Sequence, residues 1–408
     1  MQRFLHGHAT HPDWRVALVL VAAQIEAERR EQAPRGTPTL GWVYFTDHYA
    51  AHAAALLAEL RQRWSGVEWI GSSGVGIAAG GIEYFDEPAL SLLMCDLPRQ
   101  TFRVFSGAAP LRGFAPSTAQ VHADPASVDL ADLIRDMSAR TATGYLFGGL
   151  ASARSNPVHV ANEVLSGGLS GVAFAAEVDV VSRVTQGCLP FGPTRKVTSV
   201  DANVITALDG EPALDCLLRD LKLDVGDPKE ALPRLRETLV GLSDPNDALA
   251  DGPAGGRRGS FGAETRVRHL IGLDVARRAI AIGDIAEPGM RLAFCSRNAA
   301  AARRDLMRIC AEIREETEPE ALPLATAQAL KNAGPGESGP AQTGIAGAIY
   351  VSCAGRGGPH FGAPSAELAI VRHALGDVPL AGFFASGEIA RHHVYGYTGV
   401  LTVFRSAP

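Results

Sequence analysis

Apolar residues along this chain fall into short dense runs separated by stretches with helical spacing. Gly41-Trp42-Val43-Tyr44-Phe45-Thr46 has the aromatic and β-branched content of a strand. In the Ala-rich stretch from Tyr49 to Trp64 that follows, Leu56, Leu57, Leu60 and Trp64 recur at helical intervals. A second apolar run, Trp69-Ile70-Gly71-Ser72-Ser73-Gly74, ends in glycine and hydroxyl residues, and after a variable loop comes the strand-like Pro88-Ala89-Leu90-Ser91-Leu92-Leu93-Met94. The same order returns with a helix carrying Leu130, Leu133, Ile134 and Met137, then Tyr145-Leu146-Phe147-Gly148-Gly149-Leu150-Ala151-Ser152 and Gly171-Val172-Ala173-Phe174. It returns again as Ala348-Ile349-Tyr350-Val351, a helix from Ser365 to Leu375, Leu380-Ala381-Gly382-Phe383-Phe384-Ala385-Ser386-Gly387, and Gly399 to Phe404. The pattern predicts an α/β (α+β) fold of mixed sheets with duplicated strand-helix-strand units and helices on the outer faces.

Other elements punctuate this repeat. The run Val16 to Ala23 reads as a helix, and the stretch Asn298 to Glu316 sets Leu306, Ile309, Cys310 and Ile313 on one helical face, which makes Cys310 a core thiol. Asp209-Gly210 is a hairpin-turn signal. A polar stretch from Asp220 to Asp251 running into Gly252-Pro253-Ala254-Gly255-Gly256, and another from Glu318 to Thr343, read as loops. A domain seam near residue 205 is expected.

Composition narrows the function classes. The 408 residues carry 38 basic and 44 acidic side chains for a net charge of -6, without a dense basic run, so the electrostatic footprint of a nucleic-acid binder is missing. No apolar run approaches a membrane span. Six cysteines without any C-x-x-C pair point to free thiols in a reducing cytoplasm rather than to a zinc cage. Gly71-Ser72-Ser73-Gly74-Val75-Gly76 has the wrong glycine order for a dinucleotide loop, and no phosphate-binding G-x-x-x-x-G-K-[ST] occurs.

Four stretches in fixed order carry a family likeness: Val184-Thr185-Gln186-Gly187-Cys188 with Pro190, Gly192 and Pro193; Leu208-Asp209-Gly210 with Pro212; Cys353-Ala354-Gly355-Arg356-Gly357; and Gly382-Phe383-Phe384-Ala385-Ser386-Gly387-Glu388-Ile389. Together with Phe147-Gly148-Gly149, Ser152 and Arg154, the chain resembles the FIST (F-box and intracellular signal transduction) proteins, with an N-type domain over 1–205 and a C-type domain over 206–408. The resemblance implies a sensory module for a small molecule such as an amino acid. For some relatives it implies haem and nitric-oxide sensing. No kinase, cyclase or F-box segment is visible beside it, so a separate signalling protein is the expected partner. Tyr395-Gly396-Tyr397-Thr398 departs from the His-Gly-Tyr-Thr of relatives, and Ala176 stands where glycine is expected.

The candidate ligand site is a cleft of Gly-rich strand ends. Around Cys353, Gly355, Arg356 and Gly357, backbone N-H groups and a guanidinium converge on an anion or carbonyl. Ser386, Gly387 and Glu388 offer a hydroxyl and a carboxylate for a ligand ammonium, and Ser152, Arg154, Thr185 and Gln186 complete the set. No catalytic residue is assigned, and Cys353 is the candidate reactive thiol. No cofactor is predicted. One alternative is a haem sensor of nitric oxide with His392 or His393 as axial ligand. Another is an enzyme with Cys353 as nucleophile and His360 or His392 as base. No metal site is assigned: His6, His8 and His11 have suitable spacing, but no carboxylate or thiol partner is near enough to complete a shell.

Overall fold

A strand, a helix and a second strand parallel to the first recur three times, and this unit accounts for the repeated apolar pattern. The computed structural model describes residues 3–31, 36–223, 228–244, 265–318 and 344–406. Of the two stretches expected to be loops, residues 245–264 and 319–343 lie outside them, whereas Pro228–Glu237 is a helix and Thr238–Ser243 a strand within the loop expected from Asp220 to Asp251, because the strand's apolar residues pair with distant strands. The first strands are Leu40–Thr46, Thr118–Ala123 and Ile345–Cys353; the helices are Ala53–Arg63, Leu130–Ala139 and Ala366–Leu375. The second strands, Glu68–Gly74, Tyr145–Leu150 and Leu380–Ala385, pair in parallel with the first. On its other side each first strand pairs antiparallel with a later one, Ala89–Cys95, Leu169–Phe174 or Thr398–Arg405.

The three sheets have the same strand order. Each repeat lends strands to another in a cycle. The hairpin Gly76–Ala79 and Ile82–Phe85 joins the sheet of Leu380–Ala385, His159–Ala161 joins that of Glu68–Gly74, and Glu388–Ala390 joins that of Tyr145–Leu150. Outer edges are lent in the same way: Phe102–Phe105 pairs with Leu169–Phe174, Val180–Gln186 adjoins Thr398–Arg405, and Leu5–Thr10 pairs with Ala89–Cys95. The N-terminal strand thus fills the slot that cyclic order would give to chain following the last repeat.

The repeat has a residue-level signature. A Cβ at Gly71 would sit 1.8 Å from the Val43 carbonyl oxygen, one at Gly148 1.9 Å from that of Val121, and one at Gly382 1.7 Å from that of Tyr350. Only glycine permits this approach of parallel strands, so the three glycines mark equivalent positions. Counting from them, Trp42, Gln120 and Ile349 are equivalent, as are Tyr44, His122 and Val351. The polar members are buried and bond to one another in a chain that leaves His122 Nδ1 without a partner among the described residues. Trp42 Nε1 donates to Gln120 Oε1 (2.6 Å), Gln120 Nε2 to Tyr44 Oη (2.7 Å), and Tyr44 Oη to His122 Nε2 (3.2 Å). Burial lowers the His122 pKa to about 3, so the ring is a neutral acceptor in this chain.

By contact, Met1–Val184, Leu306–His393 and Gly399–Pro408 form one compact unit and Thr185–Asp305 with Val394–Thr398 a second. These units interleave the sequence halves 1–205 and 206–408, because strands from both halves build the three-sheet unit. In the second unit, six antiparallel strands close into a ring: Arg195–Asp201, Val204–Leu208, Ala279–Ile282, Arg266–Asp274, Thr238–Ser243 and Arg291–Arg297, the last pairing back to the first. Closure removes the open edges of a sheet. The helix Ala213–Leu221 adds Leu214, Cys216 and Leu217 to the barrel core. Asp209 and Gly210 both have positive φ, 49° and 84°, in the turn after Val204–Leu208, the hairpin geometry their sequence predicts. The helix Ala299–Thr317 buries Cys310 completely, and that burial pushes its thiol pKa up to about 12. Among the described residues no helix is long and apolar enough to cross a membrane.

Candidate functional site

The strand Ile345–Cys353 ends in a tight turn in which the Arg356 N-H donates to the Cys353 carbonyl (2.8 Å). The turn folds the Arg356 side chain back into the protein, where it is 1% exposed. Glu367, from the first turn of Ala366–Leu375, is fully buried beside it. Arg356 Nε and Nη2 reach Glu367 Oε1 at 2.9 and 2.7 Å. The same carboxylate accepts hydrogen bonds from Tyr350 Oη (2.7 Å) and Ser352 Oγ (3.1 Å). The guanidinium also lies over the Phe361 ring, 5.3 Å from its centroid.

A third ionisable group comes from the other half of the chain. The lent strand Ile82–Phe85 carries Glu83, whose carboxylate accepts the N-H groups of Glu367 (3.0 Å) and Leu368 (3.2 Å) and so caps the helix. Burial and then the neighbouring Glu367 charge raise the Glu83 pKa to about 7. On the same strand Phe85 packs against Gly357, where a Cβ would come within 1.7 Å of the ring. Glu388 is the fourth. It is fully buried on Glu388–Ala390, opposite Gly149, and its charge acts on Arg356. Desolvation alone would lower the Arg356 pKa, but Glu367, Tyr350 and Glu388 outweigh it and the net shift is upward, so the guanidinium stays charged.

The residues predicted from sequence fall in four places. Cys353, Gly355, Arg356, Gly357 and Glu388 gather at this strand end, with Cys353 half-buried and Gly355 exposed. Ser386, Gly387 and Ser152 lie where the chain crosses between sheets. Ser386 Oγ donates to the Ala151 carbonyl (3.3 Å), the Gly387 carbonyl accepts from the Leu150 N-H (2.8 Å), and Ser152 Oγ donates to the Phe384 carbonyl (2.5 Å) while accepting from the Val75 N-H (2.9 Å). Arg154 reaches Asp47 (2.8 Å) and Asp86. Thr185 and Gln186 are buried in the second unit, where Gln186 donates its N-H to Asp305 (2.6 Å) and its Nε2 to the Thr265 carbonyl (2.9 Å). Sequence reasoning placed the start of the site loop at Ser352 but missed Glu83, Tyr350 and Glu367. A signal for Glu367 existed: it is the one charged residue in the apolar stretch Ala366 to Val371.

Two further cavities belong to the three-sheet unit. One, of about 420 Å³, is lined by Thr118, Tyr145, Ser182, Arg183 and Glu316 among others. The other, of about 340 Å³, is mostly apolar and includes His159. His159 Nδ1 is engaged by Ser170 Oγ (2.6 Å) and Nε2 by the Gly167 carbonyl (3.1 Å). Among the described residues, therefore, neither cavity presents an imidazole nitrogen able to ligate haem iron.

Two family models match the chain in sequence order. The FIST N domain matches residues 39–211 and the FIST C domain residues 213–391. An uncharacterized protein of Mycobacterium tuberculosis strain H37Rv is 30% identical over 417 residues, covering 98% of each chain. An uncharacterized protein of Mycobacterium bovis is 29% identical over 428 residues, covering 98% of this chain and 97% of its own. The chain belongs to the FIST family, whose domains are associated with sensing in signal transduction.

Proposed function

We propose that this protein is a sensor that holds a small polar molecule of amino-acid type at the Arg356 strand end. One observation carries the reading: Glu83, Arg356, Glu367 and Glu388, drawn from both halves of the chain, are all buried in one region. Desolvating such groups costs free energy that apolar residues of similar volume would not. Concentrations of perturbed ionisable groups mark sites where charge is used.

In this reading Glu388 receives the ligand ammonium. The turn at Cys353, Gly355 and Gly357, exposed at Gly355, supplies N-H groups to its carboxylate, and Arg356, pinned by Glu367, is a fixed cation behind them. Because the cluster ties the turn, the helix Ala366–Leu375 and the lent strand together, occupancy shifts their conformational equilibrium, and a separate signalling protein reads the change. Free thiols at all six cysteines support a reducing cytoplasm as its place.

The test is a thermal-shift and calorimetric screen of free amino acids and related amines. A specific stabilising ligand is expected for the wild type and its loss in Glu388→Gln, a substitution that keeps the shape of the side chain. Equal binding by the variant would remove Glu388, and with it this site, from the account.

A further inference from the structure

We propose that His6 and His8 form a binding site for a divalent transition-metal cation of the imidazole-preferring class, with Cu2+ favoured over Zn2+. The two lie on the N-terminal strand Leu5–Thr10, and residues two apart on a strand share a face. Each ring is fixed through its Nδ1. His6 Nδ1 donates to Glu28 Oε1 (3.0 Å), and the His6 backbone N-H donates to the other oxygen, Oε2 (3.0 Å), so the carboxylate of the helix Trp14–Glu31 grips the residue at two points. His8 Nδ1 shares a 2.6 Å hydrogen bond with Tyr84 Oη, carried in by the lent strand Ile82–Phe85.

Both Nε2 atoms then face one spot. It is the space above Gly80, at the turn of the lent hairpin. A Cβ there would lie 3.2 Å from His6 Nε2 and 3.5 Å from His8 Nε2. Gly80 has φ +58°, so the turn favours glycine and the space between the rings stays open. The ring centroids are 6.2 Å apart and tilted by 40°. The His6 and Glu28 side chains are each 22% exposed, which leaves the site open to solvent.

The arrangement matches how proteins prepare imidazole for a metal. A ligating histidine characteristically donates its second N-H to a carboxylate or another acceptor, which fixes the ring and turns the other nitrogen outward. His6 with Glu28 has this form, and His8 with Tyr84 has it when Nδ1 is the donor. Among the described residues no group of three or more His, Cys, Asp and Glu gathers as ligands, so the chain supplies two nitrogens and water completes the shell. Two neutral nitrogens and water suit the later first-row divalent ions, and the affinity order places Cu2+ first.

The experiment titrates the full chain, free of any affinity tag, with Cu2+ and follows it by electron paramagnetic resonance, with Zn2+ as competitor. One Cu2+ per chain with nitrogen splitting is expected, weakened at least tenfold in His6→Gln and in His8→Gln. Glu28→Gln, which keeps both ligands, is expected to weaken binding by about 10- to 100-fold, the usual effect of losing an outer-shell partner. Circular dichroism confirms that each variant is folded. Wild-type affinity in both histidine variants, or loss of the signal only on replacing His11, His48 or His52, would overturn the proposal.

Discussion

Breaking the Arg356–Glu367 pair one side at a time asks whether the buried cluster holds the fold together or is maintained for another purpose. Arg356 is 1% exposed and Glu367 fully buried, with 2.7 and 2.9 Å contacts between them. Arg356→Met leaves a carboxylate facing only hydroxyl donors from Tyr350 and Ser352, and Glu367→Gln leaves a guanidinium beside a neutral amide. Arg356→Met strands the Glu367 carboxylate, which costs about 3–5 kcal/mol, whereas Glu367→Gln leaves Glu388 as the remaining buried anion acting on Arg356 and costs toward the lower end of that range. The double variant Arg356→Met with Glu367→Gln removes both charges. Its loss should be far smaller than the sum of the single losses, with a coupling on the order of 3 kcal/mol. Urea denaturation of the four proteins measures the cycle. Single losses below about 1 kcal/mol, or additive ones, would refute the reading of a tightly coupled pair. A double variant that regains stability but no longer responds to ligand would show that the charges serve binding.

Further predictions test other parts of the account. The folded pKa of Glu83 is raised from 4.5 to about 7, so the folded state binds the proton more tightly; the contribution of this group to stability is fully present below pH 4.5 and is lost as pH rises through 7. Glu83→Gln should flatten that slope, on the order of 3 kcal/mol across the window, in urea midpoints measured against pH; an unchanged slope would contradict the assignment. His122 has the opposite sign: its folded pKa is lowered from 6.5 to about 3, so this group destabilises the fold as pH drops from 6.5 toward 3, and its ring proton resonances should not titrate near neutrality. Gly71→Ala pushes a Cβ to 1.8 Å from a backbone oxygen and should cost about 3 kcal/mol or more, read as a lower melting temperature or loss of folded protein. In mild alkylation at neutral pH, the half-buried Cys353 should react before the five buried thiols, and Cys353→Ser should remove the fast phase; uniform labelling would count against a distinct thiol there.

The repeat was legible in sequence because its signal is local. Apolar runs ending in Gly71-Ser72, Gly148-Gly149 and Gly382-Phe383 follow helical stretches in all three copies, and each glycine answers the same close approach of parallel strands. Strand lending was not legible. Nothing in Gly76 to Phe85 says that this hairpin pairs with residues 381–383, since pairing over 300 positions leaves no periodic trace. The barrel strands Thr238–Ser243 and Arg266–Asp274 were hidden for a related reason: the polar residues around them mask short strands whose partners are distant. At the site, the turn after Cys353 announced itself through its glycines. Which way Arg356 points depends on Glu367 and on the lent Glu83, and neither is its neighbour in sequence. The histidine pair shows the same limit: its spacing is plain, while Glu28 and Tyr84 reach it only through the fold.

The central claim is that a small polar ligand is held at the Arg356 strand end, and a crystal structure with the best compound of the amino-acid screen tests it most directly. The account predicts a bound molecule whose ammonium lies within about 3 Å of the Glu388 carboxylate, with its other end against the turn from Cys353 to Gly357. A ligand seated instead in the Ser182–Arg183 cavity, with the Arg356 cluster untouched, would contradict it.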